Sequence, residues 1–143
     1  MSISFSLSLP VVRENIGTKC TTPDDAVREL ADLRTAAQEC FVTLTLDTKN
    51  RIIDKHLVTL GTLNASLAHP REVFRHAVMD AAASIILVHN HPSGDPTPSP
   101  EDIRITRQLV EVGKVIEIQI LDHIIIGRPD HISLRETGMV QFS

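Results

Sequence analysis

A chain of 143 residues is long enough for one domain that buries its own core, so neither a disulfide nor a metal is needed to hold it together. Hydrophobic residues make up 42% and charged residues 22%, which excludes a disordered chain, and a formal charge of -4 excludes broad binding to a phosphate backbone. Cys20 and Cys40 have neither the number nor the spacing of a zinc knuckle or a disulfide framework and fit a reducing compartment.

Residues 1–21 read as an N-terminal extension. Ile3, Phe5, Leu7 and Leu9 alternate with serine, the period of a strand with one buried face, which would pair with the domain edge or be exchanged with a second copy in a homodimer. The segment lacks the basic start and continuous apolar run of a secretory signal. No stretch reaches the roughly 18 apolar residues of a membrane span, so the expected location is the cytoplasm and no membrane partner is expected.

Residues 22–143 read as one α/β domain. Thr22-Pro23-Asp24-Asp25 starts a helix with a capping hydroxyl, an early proline and two carboxylates at the positive end of the dipole, and Val27, Leu30, Leu33 and Ala37 would line its inner side. Cys40 to Leu46 is a β-rich run, residues 47–50 a turn, and Arg51 to Gly61 a returning strand. His69 starts a second helix, with Val73, Phe74, Ala77, Val78 and Ala81 as its apolar stripe. Ser84 to Val88 is apolar enough for a central strand covered on both faces. Ser99 caps a third helix expected to end near Val112, where Gly113 would stop it. Ile116 to Ile126 and Ile132 to Leu134 supply further strands around a turn at residues 127–130. This order predicts a mixed β-sheet flanked by helices.

Chemistry concentrates where the central strand ends. His89 and His91 are two residues apart, so in extended backbone both imidazoles share a face while Asn90 points away. Pro92, Gly94, Pro96, Pro98 and Pro100 bend and stiffen the chain, and Asp102 falls in the first helical turn, leaning back toward the bend. Two nitrogens and a carboxylate make three ligands for one Zn2+, with a fourth position for water, whose pKa such an ion lowers to about 7. Glu39, standing just before the first strand, is the expected general base. Ser99 has two readings, a donor that polarises a substrate oxygen and a plain helix cap. His123 beside Asp122 either orients a ligand from behind or is a satisfied strand-end histidine. His69 reads as a helix-start residue.

His89-x-His91, seven residues, Ser99, two residues, Asp102 resembles the JAMM motif of the JAB/MPN metalloenzymes. Gly61 to Ser66, His69 to Glu72, His89 to Ser99 and Leu121 to Gly127 look more specifically like the bacterial RadC proteins, over roughly Thr22 to the C-terminus. The resemblance implies the MPN (JAB) fold, with a cytidine-deaminase-like layered architecture. It also implies zinc held by His89, His91 and Asp102 and a glutamate, matched by Glu39, before the first strand. Related JAMM enzymes cleave isopeptide or peptide bonds, which makes a peptide or protein the implied substrate. By the same resemblance Asn64 and Ser66 line the cleft. RadC proteins carry a DNA-repair label and usually an N-terminal helix-hairpin-helix region; the chain reads as a short form without it, which weakens a nucleic-acid role.

The leading expectation is therefore a zinc-dependent metallopeptidase that activates water for attack on an amide bond. The alternative is a binding protein of DNA maintenance or mobile elements with a structural or vestigial metal site. A metal-dependent phosphodiesterase ranks lower, because a two-metal site needs more carboxylates than this one shows.

Overall fold

The computed structural model describes Ile3, Ser4, Ser6 and residues 17–143, so Phe5, Leu7 and Leu9 of the N-terminal alternating segment, and with them the expected strand, lie outside the described residues. Strand β1 (Cys40–Leu46) explains how one sheet acquires two cores. Its side chains alternate, Phe41 to one face and Val42, Leu44 and Leu46 to the other, and each set joins a separate apolar cluster. Strand β2 (Ile52–Leu60) returns antiparallel along β1, and β3 (Ser84–Asn90), buried at every position, lies antiparallel on its other side. Strand β4 (Gln119–Ile126) is parallel to β3, and β5 (His131–Ser133) closes the order β2-β1-β3-β4-β5. The sheet is mixed, and the chain is α/β as its sequence predicts.

Helices α2 (Pro70–Met79) and α3 (Pro100–Ile116) cover one face, where Val73, Phe74, Ile105 and Leu109 pack on Phe41, Ile85 and Leu87. Helix α1 (Pro23–Glu29) covers the other, where Ala26, Val27 and Leu30 meet Leu44, Ile86 and Val88. Cys20 is buried in the same cluster, and its N–H donates to Asn50 O at 2.8 Å, so the packed body begins before Thr22.

Several boundaries differ from the sequence reading, and β4 begins at Gln119 because Ile116 still belongs to α3. Helix α1 ends at Glu29 and gives way to a 3-10 turn over Ala31–Thr35, so Ala37 lies beyond both. The turn carries Arg34, whose guanidinium donates to the carbonyls of Gly127 and Pro129, a tertiary contact that periodicity does not encode. Gly113 does not stop α3. A Cβ there would stand 2.6 Å from Ile118 O, so glycine is required by close approach of backbone, and the helix ends at Glu117, which adopts the left-handed conformation at φ 59°. Strand β3 continues through Asn90, so His89 lies within the sheet.

One irregularity bears on the site. Ile85 pairs with Ile120 but Ile86 pairs with Asp122, leaving Leu121 as an extra residue in β4. Such a bulge reverses the facing of everything after it. His123 and Ile125 therefore share the α3 side with Ile120, and His123 stands opposite Leu87, edge-on to Phe41 at 5.8 Å between ring centres.

Candidate metal centre

His89 still pairs with Phe41, while His91 has left β3, its backbone N–H donating to Ile126 O at 3.0 Å. Two-residue spacing puts both rings on the α3 side, with their Nε2 atoms 3.0 Å apart. Asn90 turns the other way. Its Oδ1 accepts from Cys40 N at 2.7 Å and its Nδ2 donates to Gln38 O at 3.0 Å. These bonds bracket Glu39, so the residue between the histidines fixes the backbone of the nearby carboxylate.

Glu39 is fixed at its other end as well. Oε2 accepts from Leu63 N at 2.7 Å, and Oε1 stands 3.9 Å from His91 Nε2. Asn64 and Ser66 follow in an exposed turn where Asn64 Oδ1 accepts from the amides of Ser66 and Leu67, and His69 caps α2 by accepting from Arg71 N.

The bend after His91 is clamped from the β4–β5 turn. Arg128 donates to Pro92 O and, through its backbone, to Gly94 O, both at 2.8 Å. Gly127 permits this approach: a Cβ there would meet Gly94 O at 2.3 Å and Pro96 Cδ at 2.8 Å. The bend delivers the chain to Ser99 and α3. Ser99 Oγ accepts from Asp102 N at 3.0 Å and Asp102 Oδ2 accepts from Ser99 N at 2.8 Å, a reciprocal capping box. The cap reading of Ser99 is thus realised with a lone pair, which does not consume its hydroxyl proton.

The cap also aims Asp102 at the histidines. Its Oδ1 is 3.4 Å from His89 Nε2 and its Oδ2 3.3 Å from His91 Nε2. Burial pushes the Asp102 carboxyl up, but the bonds to His89 and His91, with that from Ser99 N, outweigh it and hold the group well below the usual carboxylate range. Asp102 in turn raises the His91 imidazole, against the lowering effect of burial.

Hydrogen bonds settle which ring nitrogens carry protons. His91 Nδ1 faces Asp95 O at 2.9 Å, and a carbonyl only accepts, so the proton is on Nδ1. Thr106 donates to Asp102 O at 2.6 Å and so accepts from His123 Nδ1, also at 2.6 Å. His123 Nε2 is then an acceptor and takes its bond, 2.7 Å long, from His89 Nδ1. Burial, with repulsion from His89, lowers the His123 pKa well below its ordinary value and keeps the ring neutral. With Nδ1 turned away in each case, the Nε2 atoms of His89 and His91 face Asp102, donating to its carboxylate when protonated and offering a lone pair to an ion when neutral.

Four ligand atoms about 2.0–2.1 Å from a tetrahedral ion stand about 3.3–3.4 Å apart. The two Nε2 atoms, 3.0 Å apart, and the Asp102 carboxylate, which meets one at 3.4 Å through Oδ1 and the other at 3.3 Å through Oδ2, come near that geometry. Glu39, His89 and His91 also each offer a donor atom within 4.8 Å of one another. The five residues singled out from sequence, Glu39, His89, His91, Ser99 and Asp102, thus gather at one end of the sheet. Asn90, Thr106 and His123 complete their support.

A mixed five-stranded sheet flanked by helices, with a cluster of metal-ligating side chains where its central strand ends, defines an α/β domain of the JAB/MPN type. The chain belongs to the RadC-like JAB domain family, which matches residues 20–139. It is 53% identical over 123 residues to a UPF0758 protein of Halalkalibacterium halodurans, covering 85% of this chain and 53% of that one. A UPF0758 protein of Methanosarcina barkeri is 49% identical over 122 residues, with coverage of 85% and 53%, and one of Bacillus pumilus 53% identical over 118 residues, with coverage of 82% and 53%. The chain spans about half the length of the curated relatives it matches. No helix among the described residues is long and apolar enough to cross a membrane.

Proposed function

We propose that this chain is a zinc-dependent hydrolase of the JAMM type that cleaves an amide bond in a peptide or protein. The observation that carries the reading is the convergence of His89, His91 and Asp102 at ligand-to-ligand distances, with Glu39 Oε1 held 3.9 Å from His91 Nε2. In this reading His89 Nε2, His91 Nε2 and the Asp102 carboxylate hold one ion. Two imidazoles and one carboxylate suit zinc among the divalent metals.

When bound, the ion supplies Lewis acidity, bringing the pKa of water toward about 7 and polarising a carbonyl oxygen. Glu39 Oε1 accepts the proton released from water and returns it to the departing amide nitrogen, while Oε2 stays tied to Leu63 N. The Ser99 hydroxyl keeps its proton for the substrate oxygen on which negative charge develops. His123 and Thr106 hold the His89 ring in the orientation that presents Nε2.

Metal analysis of the purified chain and a peptide-library cleavage assay test the proposal together. Zinc near one equivalent at this site, cleavage lost on chelation, and a Glu39→Gln variant that keeps its metal but loses about a hundred- to ten-thousand-fold in rate are expected. Undiminished cleavage by Glu39→Gln would remove Glu39 from the mechanism, and metal binding indifferent to His89→Ala and His91→Ala would overturn the site.

A further inference from the structure

At the other end of β1, six residues from Glu39 and so roughly 20 Å away at strand spacing, a second group of ligating side chains comes together. Asp54 and His56 are two residues apart on β2 and share a face, and Asp80 ends α2. His56 Nε2 is 2.7 Å from Asp80 Oδ2 and 4.0 Å from Asp54 Oδ2, and one donor atom from each residue lies within 4.8 Å of the others.

Each member is held by something else. The fully buried Thr45 donates to Asp80 Oδ2 at 2.7 Å and accepts from Asp54 N at 3.1 Å, tying both aspartates to β1. Asp54 Oδ1 accepts from Lys55 N at 2.8 Å, which leaves Oδ2 toward His56. The His56 ring lies flat on that of His76, 4.1 Å between centres and 3° from parallel.

Few cationic groups among the described residues face the two carboxylates. Among the described residues, the ion pairs of Asp54 and Asp80 are with His56 alone, and the nearby Lys55 is paired with Glu29. The two carboxylates thus share the His56 imidazole, with the His76 ring stacked behind it, and a divalent cation would neutralise both. We propose that Asp54, His56 and Asp80 form a second metal site that takes a divalent transition ion such as zinc, cobalt or nickel. The imidazole favours these over calcium and magnesium, which prefer all-oxygen ligands. Rotation of the exposed Asp54 side chain brings its 4.0 Å separation from His56 toward the about 3.3–3.4 Å of a tetrahedral ion, while the 2.7 Å contact of His56 with Asp80 opens by a few tenths of an ångström as the ion takes the place of their shared proton. The bound ion would clip the end of α2 to the edge strand β2.

The test uses the whole chain, stripped with chelator and titrated calorimetrically with zinc alone, then with cobalt followed by visible absorption. Two ions per chain are expected in the parent. Asp54→Asn and His56→Ala should each remove one of them, and His89→Ala should remove the other and leave the Asp54 site filled. Asp54→Asn alters an exposed side chain, so its result stands even where His56→Ala perturbs folding. A stoichiometry that Asp54→Asn and Asp80→Asn leave unchanged would overturn the site and reduce the cluster to a histidine–aspartate ion pair. An ion retained in His89→Ala but lost in Asp54→Asn supports this site whatever becomes of the proposed hydrolase centre.

Discussion

His89 Nδ1 and His123 Nε2 lie 2.7 Å apart inside the protein, and the bond between them decides which nitrogen of His89 faces the candidate metal centre. His123→Ala removes the acceptor and frees the ring to turn. Zinc affinity should fall about 10- to 100-fold, the usual effect of losing a partner behind a ligand. Competition with a chromophoric chelator measures it, and circular dichroism checks that the fold persists. An unchanged affinity would show that the Thr106–His123 chain does not orient His89.

The two tasks assigned to Ser99 separate by substitution. Ser99→Ala loses the cap and should cost about 0.5–2 kcal/mol, whereas Ser99→Asp keeps an acceptor for Asp102 N and should restore most of that stability. The aspartate has no proton to offer an oxyanion. Cleavage should therefore stay low in both variants, and recovery in Ser99→Asp would assign the residue to capping alone.

In the metal-free chain three groups set the pH dependence, and His123, whose pKa burial lowers, withdraws stability as pH falls below about 6.5. Asp102, held below its ordinary pKa, contributes stability above about pH 4 that is lost as pH falls through its folded value. His91, raised chiefly by Asp102, contributes stability that is complete below about pH 6.5 and lost as pH rises through its folded value. Thermal melts in chelator should thus decline toward acid, first through His123 and then through Asp102, and toward alkali as His91 loses its proton. His91→Asn should flatten the alkaline limb, and a limb of unchanged slope would contradict the assignment.

Gly127→Ala tests the clamp on the bend. Its Cβ would fall 2.3 Å from Gly94 O, so the chain between His91 and Ser99 must move, at a cost of about 1–3 kcal/mol. Zinc affinity should fall with the melting temperature. Full affinity in the variant would show that His91 is held without the bend.

Cys20 should resist alkylation. Burial, reinforced by Asp25 and Glu29, pushes its thiol up to about 11, so little thiolate exists at pH 8. Timed iodoacetamide labelling read by mass spectrometry should mark Cys40 first and Cys20 only after unfolding.

Local spacing made much of this molecule legible. His89, His91, Ser99 and Asp102 lie within one turn of chain, and their convergence follows from strand alternation and a helix cap. Glu39 is distant in sequence and is marked by its position before β1 and by the family resemblance; the Leu63 amide that orients it lies in the Gly61 to Ser66 stretch, which the resemblance singles out but spacing alone does not connect to Glu39. His123 could not be assigned by alternation, because the extra residue Leu121 reverses its facing. The Asp54, His56 and Asp80 cluster was illegible for a related reason: it joins an edge strand to the end of a helix 24 residues on, and only the β1–β2 register reveals it.

One carboxylate, that of Asp102, both starts α3 through Ser99 and looks at two imidazoles. Helix nucleation and cation capture are therefore a single event at this residue. Hydrogen exchange at the amides of Ser99 and Ile103 should slow when zinc is added, as though the ion had been wound into the first coil of the helix.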